Sequence, residues 1–145
     1  MSDPTFAPPT VSASLTRTLL DAAVAASESH GQASAIAVVD NSGVLKGFLR
    51  MDGAALLTVQ IAQDKAYTAA SFGLATHEWH DFIKDDAPLA DGIVHTSRLV
   101  VFGGGYPIKV GGAVVGGIGV SGGHYSDDMK IATAALADAG HPASA

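Results

Sequence analysis

The stretch Thr76-His77-Glu78-Trp79-His80 sets two imidazoles three residues apart, so that one helical turn presents both to the same side. The zinc-protease pattern His-Glu-x-x-His needs i, i+4 spacing to aim both rings at one metal, and this chain does not have it. A single imidazole is enough to ligate haem iron where an apolar slot adjoins it. The plain alternative is a pair of solvated side chains. His77 and Glu78 are also the residues suited to moving protons near neutral pH. His30, at a helix end, and His124, after the glycine run, are weaker candidates, and His95 lies in a loop.

Two glycine-rich runs follow. In Gly103-Gly104-Gly105-Tyr106-Pro107, backbone freed of Cβ atoms approaches a ligand closely or bends a sheet edge as a bulge. No Gly-Lys-Ser/Thr follows, so it is not a P-loop, and no helix follows, so it is not a dinucleotide fingerprint. In Gly116-Gly117-Ile118-Gly119-Val120-Ser121-Gly122-Gly123, strand alternation puts Gly117, Gly119 and Ser121 on one face. That face is either a groove for a ligand or a surface for a closely packed neighbour. Gly119-x-Ser121-x-Gly123 fits the nucleophile-elbow frame, but only Asp127, Asp128 and the tail residue His141 follow it, which is not a convincing triad order.

Arg50-Met51-Asp52 closes a predicted strand, and Lys65 stands among alanines and isoleucine on the next helix. A lysine there either reaches a ligand anion with its ammonium or pairs with Asp52 or Asp40 and pins helix to sheet. Arg50, Asp52, Lys65, Gly103, Gly104, Gly105, Tyr106 and Ser121 are the candidate ligand-binding residues. His77 is the candidate metal ligand, and His77, Glu78 and Lys65 are the candidates for catalysis.

The elements that must position these residues are legible from periodicity. Leu15, Leu19, Ala22, Ala23 and Ala26 predict a helix over 12–29, capped by Ser12 or Ser14 and ended by Gly31. A hairpin over 34–50 turns at Asp40-Asn41-Ser42-Gly43. A helix runs over 56–72, and a short one over 78–84. Residues 85–96, with Pro88 and Gly92, read as a loop. Strands are expected at 99–102, 108–110 and 113–120, the last two joined at Gly111-Gly112. A final helix capped by Ser126 or Asp127 runs to Ala139. Hairpins make the sheet mainly antiparallel, and its apolar faces require helices. The expected fold is therefore α+β, with about five antiparallel strands covered by helices. One domain over 12–139 is flanked by a flexible arm (1–11) and a frayed tail (140–145).

Composition narrows the function classes. The chain has 145 residues and no cysteine, which excludes disulfides, thiolate metal sites and cysteine nucleophiles and is compatible with a cytoplasmic location. A net charge of -6 with eight scattered basic residues argues against nucleic acid as a partner. Apolar stretches are broken well before the ~18 residues of a membrane span, and the first ten residues lack a signal-peptide pattern. Charged residues are only 15% against 48% hydrophobic. So little charge leaves apolar surface whose cheapest partner is another copy of the chain.

Taken in order, Val38-Val39-Asp40 with Gly43, Arg50-Met51-Asp52, Lys65-Ala66 with Ala69, Phe102 to Ile108, Val115 to Gly123, and Asp127-Asp128 resemble the GlcG/HbpS-like family. They also resemble the C-terminal domain of PduO-type corrinoid adenosyltransferases. The resemblance covers roughly Leu15 to Leu136. It implies a profilin-like layered fold and assembly into rings or stacked rings. It also implies binding of haem in some members, degradation of haem in a few, and a place among catabolic genes in others. His77-Glu78 lies where PduO-type domains carry a similar Thr-His-Glu sequence, which makes His77 the axial-ligand candidate by resemblance.

Three readings follow. In the first, the chain binds haem or another tetrapyrrole in a groove beside the glycine strands, with Arg50 or Lys65 holding a propionate. In the second, it is an enzyme that isomerises or hydrolyses a small anionic catabolic intermediate, with Lys65, Arg50, His77 and Glu78 lining one pocket. In the third, it is a structural subunit whose glycine face packs against a neighbouring copy.

Overall fold

The computed structural model describes residues 3–143. Four strands, β1 (Ala35–Asp40), β2 (Leu45–Arg50), β3 (Gly105–Val110) and β4 (Ala113–Ser121), form one antiparallel sheet in the order β2-β1-β4-β3. The helices are α1 (Ala13–Ser29), α2 (Leu56–Phe72), α3 (Glu78–Ile83), α4 (Ala87–Ile93) and α5 (Tyr125–Asp138). The α+β class and the antiparallel pairing are as expected.

The strand count is four rather than five, because 99–102 does not join the sheet. The Val100 N–H donates to the Thr68 hydroxyl on α2 at 3.0 Å, and the ladder begins only where Val120 N donates to Gly104 O at 2.9 Å. A side chain of the covering helix has taken the donor that a strand would need. The expected loop over 85–96 contains α4. Asp86 caps it by accepting from Leu89 N at 3.2 Å, and Pro88 sits in the first turn, where a missing N–H costs nothing. At the start of α5 the cap is His124, whose Nδ1 accepts from Ser126 N at 3.2 Å, not Ser126 or Asp127.

The two sheet faces are built from residues of different size. On one, Ile36, Val38, Ile108, Ile118 and Val120 pack against Leu19 and Ala23 of α1 and Ile131, Ala135 and Leu136 of α5. On the other, Ala35, Ala37 and Val39 meet Ala62 and Ala66 of α2. Branched side chains keep α1 and α5 at ordinary spacing. Alanine and glycine let the α2 backbone descend onto the sheet. The high Ala and Gly content of the chain is thus spent on close helix–sheet packing.

The segment expected as a free arm is tied down at its end. Val11 is buried and its N–H donates to Val115 O at 2.9 Å, while Asn41 Nδ2 donates to Pro9 O at 2.8 Å. At the other end His141 N donates to Leu136 O at 2.9 Å. Residues 1–2 of the arm and 144–145 of the tail lie outside the described residues. Among the described residues no helix is long and apolar enough to cross a membrane.

Candidate binding site around His77

The glycine strand does not form the groove that its lack of side chains suggested. A Cβ on Gly119 would run into the Ala62 carbonyl oxygen, one on Gly117 into that of Ala66, and one on Gly105 would come within 2.5 Å of the Lys65 carbonyl oxygen. The chain's own α2 fills the space. The close neighbour on that face is neither a ligand nor another subunit, which corrects both readings that placed one there.

Lys65 is part of the same packing. Its Cβ lies over Gly119 and its ammonium lies beside Gly104. Nζ donates to Val120 O at 2.9 Å and to Asp128 Oδ2 at 2.9 Å. Both side chains are buried, at 1% and 2% exposure. Asp128 Oδ1 in turn accepts from Gln32 Nε2 at 2.8 Å and from Gly123 N at 3.3 Å. Lys65 therefore pins α2 to α5 as a structural lysine, with Asp128 as partner in place of Asp52 or Asp40. Burial holds the ammonium below the usual lysine range against the pull of Asp128.

The other candidates separate by position. Arg50 ends β2 and spends Nε and Nη2 on the Ala54 carbonyl at 3.0 and 2.6 Å. Asp52 is exposed in the turn that follows. Ser121 is buried at the end of β4. β2 and β3 are opposite edges of the sheet, three inter-strand steps or about 14 Å apart. Arg50 consequently does not share a pocket with His77 and Glu78. Lys65 on α2 comes within 5.3 Å of the Phe102 ring centroid, but its ammonium is buried on Asp128 and Val120 and lines neither pocket at His77, so the four-residue anionic pocket is not assembled.

His77, Glu78, Tyr106 and the first glycine of the 103–105 run do come together. Thr76 makes this happen. Its N–H donates to Gly105 O at 2.9 Å and its hydroxyl accepts from Gly105 N at 2.9 Å, fixing residue 76 to the start of β3. Glu78 Oε2 accepts from Ala75 N at 2.9 Å and holds the first turn of α3. His77 is left between these two anchors, with its ring 5.7 Å from that of Tyr106. Burial raises the Tyr106 hydroxyl above the usual tyrosine range, and the nearby Glu78 carboxylate adds to the rise.

Two pockets meet at His77. One, of about 310 Å³, is lined by Gly73, Leu74, Glu78, Tyr106 and Lys109, among others. The second, of about 360 Å³, is lined by His77, His80, Asp81, Val101, Phe102, Gly103 and Tyr125. Phe102 and Tyr125 form its aromatic wall, ring centroids 6.3 Å apart. The Nδ1 atom of His77 is buried and has no hydrogen-bond partner. Leaving such a group unpaired costs about 1–3 kcal/mol. Phe102 and Tyr125 carried no pattern that sequence reasoning could use. His80 did, through its i+3 spacing from His77.

The family model for HbpS-like proteins, described as haem degrading protein HbpS-like, matches residues 11–137. The chain belongs to the HbpS-like family. It is 38% identical to the corrinoid adenosyltransferase PduO of Salmonella typhimurium over 103 residues, 70% of this chain but only 31% of that protein. It is 32% identical to protein GlcG of Escherichia coli over 111 residues, 74% of this chain and 81% of GlcG. The solved PduOC:heme complex superposes with a TM-score of 0.82 at 32% identity, covering 89% of this chain and 94% of that one.

Proposed function

We propose that this HbpS-like chain binds haem or a related tetrapyrrole in the cleft between His77, His80, Phe102 and Tyr125. The observation that carries the reading is the His77 side chain lining two open pockets, with its Nδ1 buried and without a hydrogen-bond partner. The donor chemistry fits the group: one imidazole, an aromatic face and an adjoining apolar wall are what haem needs from a protein. A homologue of the same fold solved as a heme complex supports it. When bound, haem supplies redox-active iron. His77 would hold the iron through its imidazole, Phe102 and Tyr125 would offer stacking surface, and Thr76 and Glu78 would hold the His77 ring in position.

Each pocket is at the small end of the range for ligand sites, and Phe102 and Tyr125 in the cleft are exposed. A second copy of the chain covering this rim fits the shortage of charge, and homo-oligomerisation is part of the proposal.

Titration with haemin tests it. Wild type is expected to give a saturable Soret shift with a low-energy pattern typical of imidazole ligation, and His77→Ala to lose that pattern. If His77→Ala and the double variant His77→Ala/His80→Ala give the wild-type spectrum, the ligand assignment is wrong. If wild type gives no saturable shift, haem binding itself is refuted.

A further inference from the structure

Arg98 is the one described non-glycine residue with positive φ, at +68°. It occupies the third position of a turn closed by Leu99 N donating to Thr96 O at 3.3 Å. Turns that need positive φ at this position take Gly or Asn, because a side chain there costs about 1–2 kcal/mol. An arginine in a glycine's place implies that its side chain is wanted.

The surroundings hold that side chain in one pose. The Thr68 hydroxyl donates to Arg98 O at 2.7 Å and fixes the backbone. Arg98 Nε donates to Asp64 Oδ1 at 3.0 Å, and Asp64 is itself steadied by Gln60 Nε2 at 2.9 Å. The guanidinium lies over the Tyr67 ring, 3.9 Å from its centroid, an arrangement that restricts it further. Asp64 takes only the Nε end. The two terminal nitrogens, the fork that pairs with carboxylates, make no hydrogen bond among the described residues.

Arg98 lines a pocket of about 230 Å³ with Tyr67, Phe72, Leu99, Thr96 and Ser97. The Tyr67 and Phe72 rings and Leu99 supply its apolar lining, and Thr96 and Ser97 supply hydroxyls. The pocket shares no lining residue with the His77 cleft. We infer that it is a second binding site, for a small monocarboxylate with a compact apolar body, whose carboxylate pairs with the Arg98 fork while its body lies against Tyr67, Phe72 and Leu99. A neutral ligand would leave the fork unmatched, and a bare inorganic anion would leave the apolar walls wet.

The test is a titration of the full chain with sodium benzoate, followed by backbone amide resonances, with benzamide as the uncharged isostere. Benzoate is expected to give saturable shifts clustered at residues 67–72 and 96–99, and benzamide to bind at least about tenfold more weakly. Arg98→Gly suits the positive φ of the turn and keeps the fold; it should abolish saturation. Arg98→Lys keeps the charge without the fork and should weaken binding about tenfold. The haem-loaded protein should bind benzoate unchanged, since the sites are separate. The inference is overturned if wild type shows no saturable shift at these residues, if benzamide binds as well as benzoate, or if Arg98→Gly binds like wild type. None of these outcomes bears on haem binding.

Discussion

Lys65 Nζ and Asp128 Oδ2 lie 2.9 Å apart with both side chains buried, and they join the helix on one face of the sheet to a helix on the other. The lysine passes over Gly119 and ends beside Gly104. The glycines make room for it, and it accounts for a feature that looked like a ligand site.

Removing one partner should be costly. Lys65→Met leaves the Asp128 carboxylate buried without its cation, and Asp128→Leu strands the ammonium. Each should lower stability by about 3–5 kcal/mol, whereas the double variant Lys65→Met/Asp128→Leu should recover much of the loss. Urea unfolding of the three variants measures this. Additive losses would contradict a direct buried pair.

Alkaline pH separates two groups. Lys65 has a folded pKa below the ordinary lysine value of 10.5, so between that lowered value and 10.5 the unfolded chain binds more protons. Stability from this group therefore rises with pH across the window. Tyr106 is raised above 10.0; its contribution is present below 10.0 and is lost as pH climbs through the folded value. Stability measured from pH 8 to 11 should lose the rising component in Lys65→Met and the falling component in Tyr106→Phe. Unchanged profiles would refute both assignments.

Glycine substitutions should divide sharply by site. Gly119→Ala drives a methyl into the Ala62 carbonyl of α2, and overpacking of this kind costs about 1–3 kcal/mol or more. Gly92→Ala meets nothing within 4 Å in α4 and should be neutral or stabilising by up to about 1 kcal/mol. Thermal unfolding of the pair tests whether α2 rests on the glycine strand.

The aromatic wall can be tested apart from the iron ligand. Phe102 and Tyr125 are exposed, at 42% and 44%, so Tyr125→Ala should change stability by about 0.5 kcal/mol or less, and Phe102→Ala by about 1 kcal/mol, because its ring centroid lies 5.3 Å from the Lys65 ammonium. Loss of one stacking face should weaken haemin binding about tenfold. Haemin titration of both variants with wild-type affinity would place the macrocycle elsewhere.

Local pattern was enough for most of the scaffold. The 3.6-residue spacing of Leu15, Leu19 and Ala23, the hairpin glycines at 111–112 and the alternation along 113–120 specify their elements through contacts within a few residues. Pattern failed where a distant group competes for a backbone donor, as Thr68 does for Val100, and where Pro88 and Gly92 imitate a loop inside a capped helix. That His77 and Glu78 line one pocket follows from their adjacency, which the sequence states directly.

The amino-acid order by itself determined the α+β class, the hairpins, the shortage of charge and the adjacency of His77 and Glu78. Only the tertiary structure decided that Asp128 answers Lys65 across 63 positions, that α2 covers Gly117 and Gly119, and that Phe102 and Tyr125 face His77 across a cleft. A strand without side chains states that something must come close, but not what. The identity of the neighbour depends on how layers stack, and stacking is settled by packing of the whole chain rather than by any segment's own preference.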